Sequence, residues 1–197
     1  MEAGGKAFHH TYAMLQEQGV EPIAALTEIL ELLEATEQRQ ELIVAHNGWK
    51  FDIEMLQQMF NNYAGIGYEF GVDSVYDSGA VEKASQLLPE HLLNRRTGVQ
   101  HSAFPEPGED MRTWSLRIVN NVVRGVYWAL DRYCEQQYGL YAKAGFGVEE
   151  AHKSGTDSYV LHLLFEEHRK LAGLANQVDV GDPKPQVIFD EQETDSP

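Results

Sequence analysis

The chain has 197 residues, 43% of them hydrophobic, with 31 acidic side chains against 15 Lys and Arg, a formal net charge of -16 and a single cysteine, Cys134. This length and apolar content suit one buried core, expected over residues 1–174, followed by an acidic, proline-interrupted tail over 175–197 that reads as disordered. A lone cysteine excludes an internal disulfide framework, no apolar run reaches the roughly 18 residues of a membrane span, and MEAGGKAFHH lacks signal-peptide order, so a soluble intracellular protein of cytoplasm or nucleus with no membrane partner is expected.

From Pro22 onward, Ile23, Leu26, Ile29, Leu30 and Leu33 recur at helical spacing, which predicts an amphipathic helix over 22–38 with Glu28, Glu31 and Glu34 on its wet face. Leu42 to Ala45 is short, apolar and β-prone and stops at the turn pair Asn47-Gly48, so a buried strand is expected there. A helix should follow, with Phe51, Met55, Leu56, Met59 and Phe60 on one face. A short strand is expected around 73–76 and a helix over about 78–88. Gly98, Pro105, Pro107 and Gly108 make 94–110 a loop. Leu116, Val119, Val123, Tyr127, Leu130 and Cys134 then predict one long helix over 113–138, and Val160, Leu161, Leu164, Phe165 and Leu171 a last one over 154–171. In the tail, Val187-Ile188-Phe189 is a candidate segment for docking onto a partner, with a brief β contact or no contact as the plainer reading.

Chemistry concentrates at two of these junctions. A strand ending in His46-Asn47-Gly48, with a helix starting near Phe51-Asp52, puts Asp52 at the mouth of a sheet, a suitable place for a metal-binding carboxylate. The plainer reading is a turn followed by a helix-start acid. Likewise, His152 on a loop and Asp157 in the first turn of the last helix can point into one pocket, although a helix start capped by Ser154 or Thr156 accounts for the same residues. Between the two junctions, residues 91–132 hold six arginines against four acids. Arg95, Arg96 and Arg112 are candidate phosphate contacts there, with solvated ion pairs as the alternative.

Taken in order, HNGWKFD (46–52) and HKSGTD (152–157) resemble the second and third motifs of the DEDDh exonucleases, proofreading-type 3'-5' exonucleases of ribonuclease H-like fold. VYDSGAVEKASQL around Asp77 is similar to the segment that follows the second motif, and the resemblance covers roughly residues 8 to 172. It implies an α/β fold with a mixed sheet flanked by helices, and metal-dependent hydrolysis of single-stranded DNA or RNA from 3' ends. Two magnesium or manganese ions about 4 Å apart would activate water and stabilise the leaving oxygen. Asp52 and Asp157 would be metal ligands, His152 the general base, and His46, Asn47 and Phe51 would shape the pocket for the terminal nucleotide.

The family's first motif, Asp-x-Glu on the opening strand, has no counterpart. Ahead of Pro22 the acids are Glu2, Glu17 and Glu21, and Asp52-Ile53-Glu54 lies in an expected helix, where alternate residues point apart. Asp190-Glu191-Gln192-Glu193 lies in the tail. The expectation is a domain without its opening strands and with half its carboxylates: a fragment, a degenerate member, or a chain completed by another. An opened sheet exposes an edge that invites self-association or a covering partner chain. The alternatives are a non-catalytic nucleic-acid-binding or protein-interaction module that retains the fold, and an acidic helical protein whose motif matches arise by chance.

Overall fold

The computed structural model describes residues 16–17 and 19–173. Residues 1–15, where an opening strand would fall, and the acidic tail with Val187, Ile188 and Phe189 lie outside the described residues.

Helix α1 (Pro22–Gln38) opens on proline, whose fixed φ suits a first turn and whose missing N–H would have no helical acceptor there. Strand β1 (Ile43–Ala45) pairs in parallel with β2 (Val75–Asp77), with Ile43 opposite Val75 and Ala45 opposite Asp77. Between them, a 3-10 turn at Gly48–Lys50 leads into α2 (Asp52–Met59), which continues through a π-helical turn at Phe60–Ala64 to a left-handed Gly65. Helix α3 (Ser78–Ala84) starts directly at the end of β2, and a short antiparallel pair, β3 (Leu93–Asn94) with β4 (Val99–Gln100), follows. Helix α4 (Met111–Asn120) is capped by Asp110, whose Oδ1 accepts the Thr113 N–H at 2.8 Å. After an extended segment over 121–129 come a π-helical turn at Leu130–Cys134, α5 (Glu135–Tyr138), α6 (Leu140–Ala144) and the long α7 (Ser154–Leu171).

The architecture is therefore mixed α/β and rich in helix, but the strands make two separate two-stranded sheets, one parallel and one antiparallel, where a single mixed sheet was expected. Among the described residues neither β1 nor β2 has a second strand neighbour, so each keeps an unpaired backbone edge. Three apolar clusters carry the packing. Ala45, Trp49, Ile53, Phe70 and Val75 bury the parallel pair; Ala80, Ala84, Trp114, Ile118 and Val119 join α3 to α4; Cys134, Leu140, Tyr141, Val160 and Leu164 join α6 to α7.

Three expectations are corrected by this packing. The helix expected over 113–138 breaks at Asn121, which takes an extended ψ of 97°, and Gly125 follows at φ 85° in the left-handed region. Val122, Val123 and Val126 lose χ1 freedom in a helix, and tertiary hydrogen bonds replace the helical ones: the Gln86 amide donates to the Tyr127 carbonyl at 2.8 Å, and the His46 ring to the Trp128 carbonyl at 2.7 Å. On α2 the inward residues are Ile53 and Phe60, whereas Phe51 and Met55 face solvent, because the Gly48–Lys50 turn rotates the helix so that Ile53 meets Trp49 and Val75. Leu171 at the end of α7 is exposed, and His168 one turn earlier is the buried residue instead.

Lys83 on α3 is fully buried. Its ammonium donates to the Val119 carbonyl at 3.0 Å and lies 4.1 Å from the centroid of the Trp128 ring, tying α3, the end of α4 and the extended segment together. Burial, with Lys50's charge adding to it, lowers its pKa from 10.5 to about 8. Because the folded value lies below the unfolded one, the unfolded chain binds the proton more readily between them. The charged lysine therefore costs stability below about pH 8, and the cost fades as pH rises towards 10.5. Chemical denaturation of the protein beside Lys83→Met should show the difference in stability moving in the parent's favour by ~2 kcal/mol between pH ~7.5 and ~9.5. A pH-independent difference would rule out a buried, titrating ammonium.

Candidate functional site

The first junction is built by two close backbone approaches. After β1, Asn47 takes the left-handed conformation (φ 64°), and a Cβ on the following Gly48 would overlap the Cβ of Ala45, so only glycine lets the chain turn back on its own strand. Gly79, at the start of α3, faces the same turn: a Cβ there would stand 2.8 Å from the Asn47 backbone nitrogen. Between them lies Asp77, fully buried, whose Oδ1 accepts the N–H groups of Asn47 (2.7 Å), Gly79 (3.1 Å) and Ala80 (3.2 Å). One carboxylate oxygen thus caps α3 and fixes the turn that carries His46 and Asn47.

His46 is locked. Its Nε2–H donates to the Trp128 carbonyl, and Nδ1 stands 3.0 Å from the Ser78 hydroxyl, which is also 3.0 Å from the Ala45 carbonyl. Burial holds the ring's pKa below its ordinary value, and the carbonyl acceptor requires a proton on Nε2. The amide oxygen of Asn47 is buried without a hydrogen-bond partner among the described residues. Asp52, the first residue of α2, is exposed as a whole. Partial loss of water nonetheless pushes its carboxyl above the usual range, with the negative charge of Asp77 adding to the effect.

The second junction rests on Asp157 in the first turn of α7. Its Oδ1 accepts the Tyr141 hydroxyl at 2.8 Å, and its Oδ2 accepts the backbone N–H of His152 at 3.0 Å. His152 takes a left-handed φ of 68° as the chain enters the helix, and its exposed ring points Nε2 towards Asp131 Oδ2 at 3.8 Å.

These two junctions face each other. A cleft of about 760 Å³ is lined by His46, Asn47 and Asp52 from one side and by His152 and Asp157 from the other, with Ile43, Val44 and Phe70 among its apolar walls. Five of the sequence candidates, from stretches about a hundred residues apart, thus share one cleft. The others do not. Phe51 is exposed, with the Lys50 ammonium 5.8 Å from its ring centroid, and is not part of the lining. Arg95 and Arg96 sit in the exposed turn between β3 and β4, and Arg112 lines a separate, smaller cleft.

Two contributors escape sequence reasoning. Asp131 and Trp128 line the cleft from the extended segment and the turn after it, where the apolar stripe predicts an unbroken helix. Gly125 was the available signal, since a glycine inside a helical pattern marks a weak point.

A hard divalent ion needs several convergent oxygen ligands. Among the described residues no three His, Cys, Asp or Glu side chains converge closely enough to hold a metal ion, and both Asp157 oxygens are already engaged. As arranged, these residues do not fit a two-metal centre. Comparison with family models, with curated proteins and with solved structures returns no match to this chain.

Proposed function

We propose that the chain is a 3'-5' exonuclease-like domain of DEDDh pattern whose cleft takes the 3' end of single-stranded DNA or RNA. The observation that carries this reading is the convergence of His46, Asn47, Asp52, His152 and Asp157 on one cleft. Its dimensions suit one nucleotide, because ligand pockets of ~300–1,000 Å³ enclose molecules of that size. Apolar walls accept a base or sugar, Asn47 presents an unpartnered acceptor deep in the lining, and His152 at the rim is open to a water or a terminal hydroxyl.

A second reading rests on the engaged Asp157 and on the absence, among the described residues, of three convergent metal ligands: a module that binds 3' ends without cutting them. One experiment separates the two. A 3'-labelled single strand is incubated with the protein and magnesium or manganese, and a circular single strand of the same sequence serves as competitor. End-dependent binding is expected, with the linear strand bound at least about tenfold more tightly than the circle and the preference reduced in Asn47→Ala and His152→Ala. Release of labelled mononucleotide that is lost in His152→Ala supports catalysis by this chain, whereas end-dependent binding without release supports the binding module. Equal binding of linear and circular strands overturns both.

A further inference from the structure

A second cleft of about 390 Å³ is lined by Trp49, Ile53, Glu54, Gln57, Arg112 and Leu116, among others. Trp49 is 4% exposed, yet its indole Nε1 has no hydrogen-bond partner among the described residues. An indole N–H buried in this way normally finds an acceptor, because leaving it unmet is costly. Over the same ring stands the Arg112 guanidinium, with its Cζ 5.5 Å from the ring centroid. The side chain of Arg112 forms no ion pair among the described residues, although its backbone N–H is fixed to the Val72 carbonyl at 3.0 Å. By contrast, Arg117 on the next turn of the helix is fully engaged by Glu109 at 2.6 Å.

We propose that this cleft is a binding site for a phosphate group, held between the Trp49 indole N–H and the Arg112 guanidinium. The two donors point in different directions, because the indole N–H lies in the plane of its ring and the guanidinium lies above that plane. A tetrahedral oxyanion offers acceptors out of any one plane and can meet both, and guanidinium is the side chain best matched to phosphate. Gln57 supplies a further amide on the lining, and Ile53 and Leu116 give it apolar walls. Glu54 works against an anion here and keeps the site weak. The proposal does not rest on the exonuclease reading, since His46, Asn47, Asp52, His152 and Asp157, whose convergence carries that reading, do not line this cleft.

The test follows the three indole N–H resonances of the full chain during titration with inorganic phosphate, with sodium chloride at matched ionic strength as the blank. Trp114 is the internal control, because its Nε1 already donates to the Ala103 carbonyl at 2.9 Å. The expected result is a saturable shift of the Trp49 indole alone. Arg112→Gln should weaken the apparent affinity at least about tenfold while leaving the Trp114 resonance in place, and Glu54→Gln should strengthen it. A shift equal to that of chloride, or one unaffected by Arg112→Gln, overturns the proposal. Two dinucleotides identify the source of the phosphate. The shift from one whose sole phosphate is the internal diester assigns the site to a nucleic-acid backbone, and a shift only from one with a terminal phosphate assigns it to phosphomonoesters. Either pattern supports the site.

Discussion

Replacing Glu82 by alanine should cost about 3–5 kcal/mol of folding stability, among the largest effects of any single substitution in the chain. Glu82 on α3 is 2% exposed, and its Oε1 accepts from His168 Nε2 at 2.6 Å and from the Tyr138 hydroxyl at 2.8 Å. The far side of the His168 ring meets the Tyr76 hydroxyl at 2.7 Å. Four elements, β2, α3, α5 and α7, are therefore joined through one carboxylate. Removing it leaves a buried imidazole and a half-buried phenol without their acceptor, and the cost of that desolvation is no longer offset. The network also holds the Tyr138 hydroxyl well above its ordinary pKa, burial being the main cause and the Glu82 carboxylate adding to it. Urea denaturation followed by circular dichroism measures the loss. Glu82→Leu combined with His168→Leu should be much less damaging than Glu82→Ala alone, because it removes the partners together and fills the space with apolar atoms. A Glu82→Ala protein as stable as the parent would mean that the buried carboxylate binds these elements no better than water does.

That network shows why some of this structure was legible in the amino-acid sequence and some was not. Helices α1 and α7 occupy the expected spans because each carries its own apolar period over four or more turns, and Pro22 marks the start of the first. The strand at 43–45 and the turn after it were legible through Asn47-Gly48, whose backbone demands are local. The sharing of one cleft by His46, Asp52, His152 and Asp157 was expected from the resemblance alone, because periodicity carries no information about distant pairing. Glu82 and His168 gave no such signal, since each looks like a polar residue on the wet face of a helix and becomes a buried partner only when α3 meets α7. The extended segment at 121–129 is the same case in reverse. Its valines continue a helical stripe locally, and it is held out of the helix by Gln86 and His46, which reach the Tyr127 and Trp128 carbonyls from other elements.

Substitution at Asp77 should link stability to the cleft directly. Its Oδ1 receives three backbone N–H groups, two that start α3 and one that holds Asn47 in its left-handed turn, whereas Oδ2 is buried without a partner among the described residues. Asp77→Ala orphans all three donors and should cost roughly 2–4 kcal/mol. With the turn released, Asn47 and His46 are no longer held at the cleft, so the 3'-end preference proposed above should fall together with the stability. Asp77→Asn keeps an acceptor oxygen in the same place and should retain most of both. The parent and Asp77→Asn should also differ with pH. Burial pushes the Asp77 carboxyl above its ordinary value of 3.8, although the N–H groups of Asn47 and Ala80 pull the other way. A folded value above the unfolded one means that the group's contribution is complete below pH 3.8 and is lost as pH rises through the folded value. Asparagine does not titrate, so the stability of Asp77→Asn relative to the parent should improve as pH rises out of the acid range. Denaturation curves across that range, with end-binding measured on the same samples, check both halves. If Asp77→Asn lost as much stability and end preference as Asp77→Ala, the acceptor oxygen would not be what holds this turn, and the cleft would owe its shape to the packing of Trp49 and Ile53 instead.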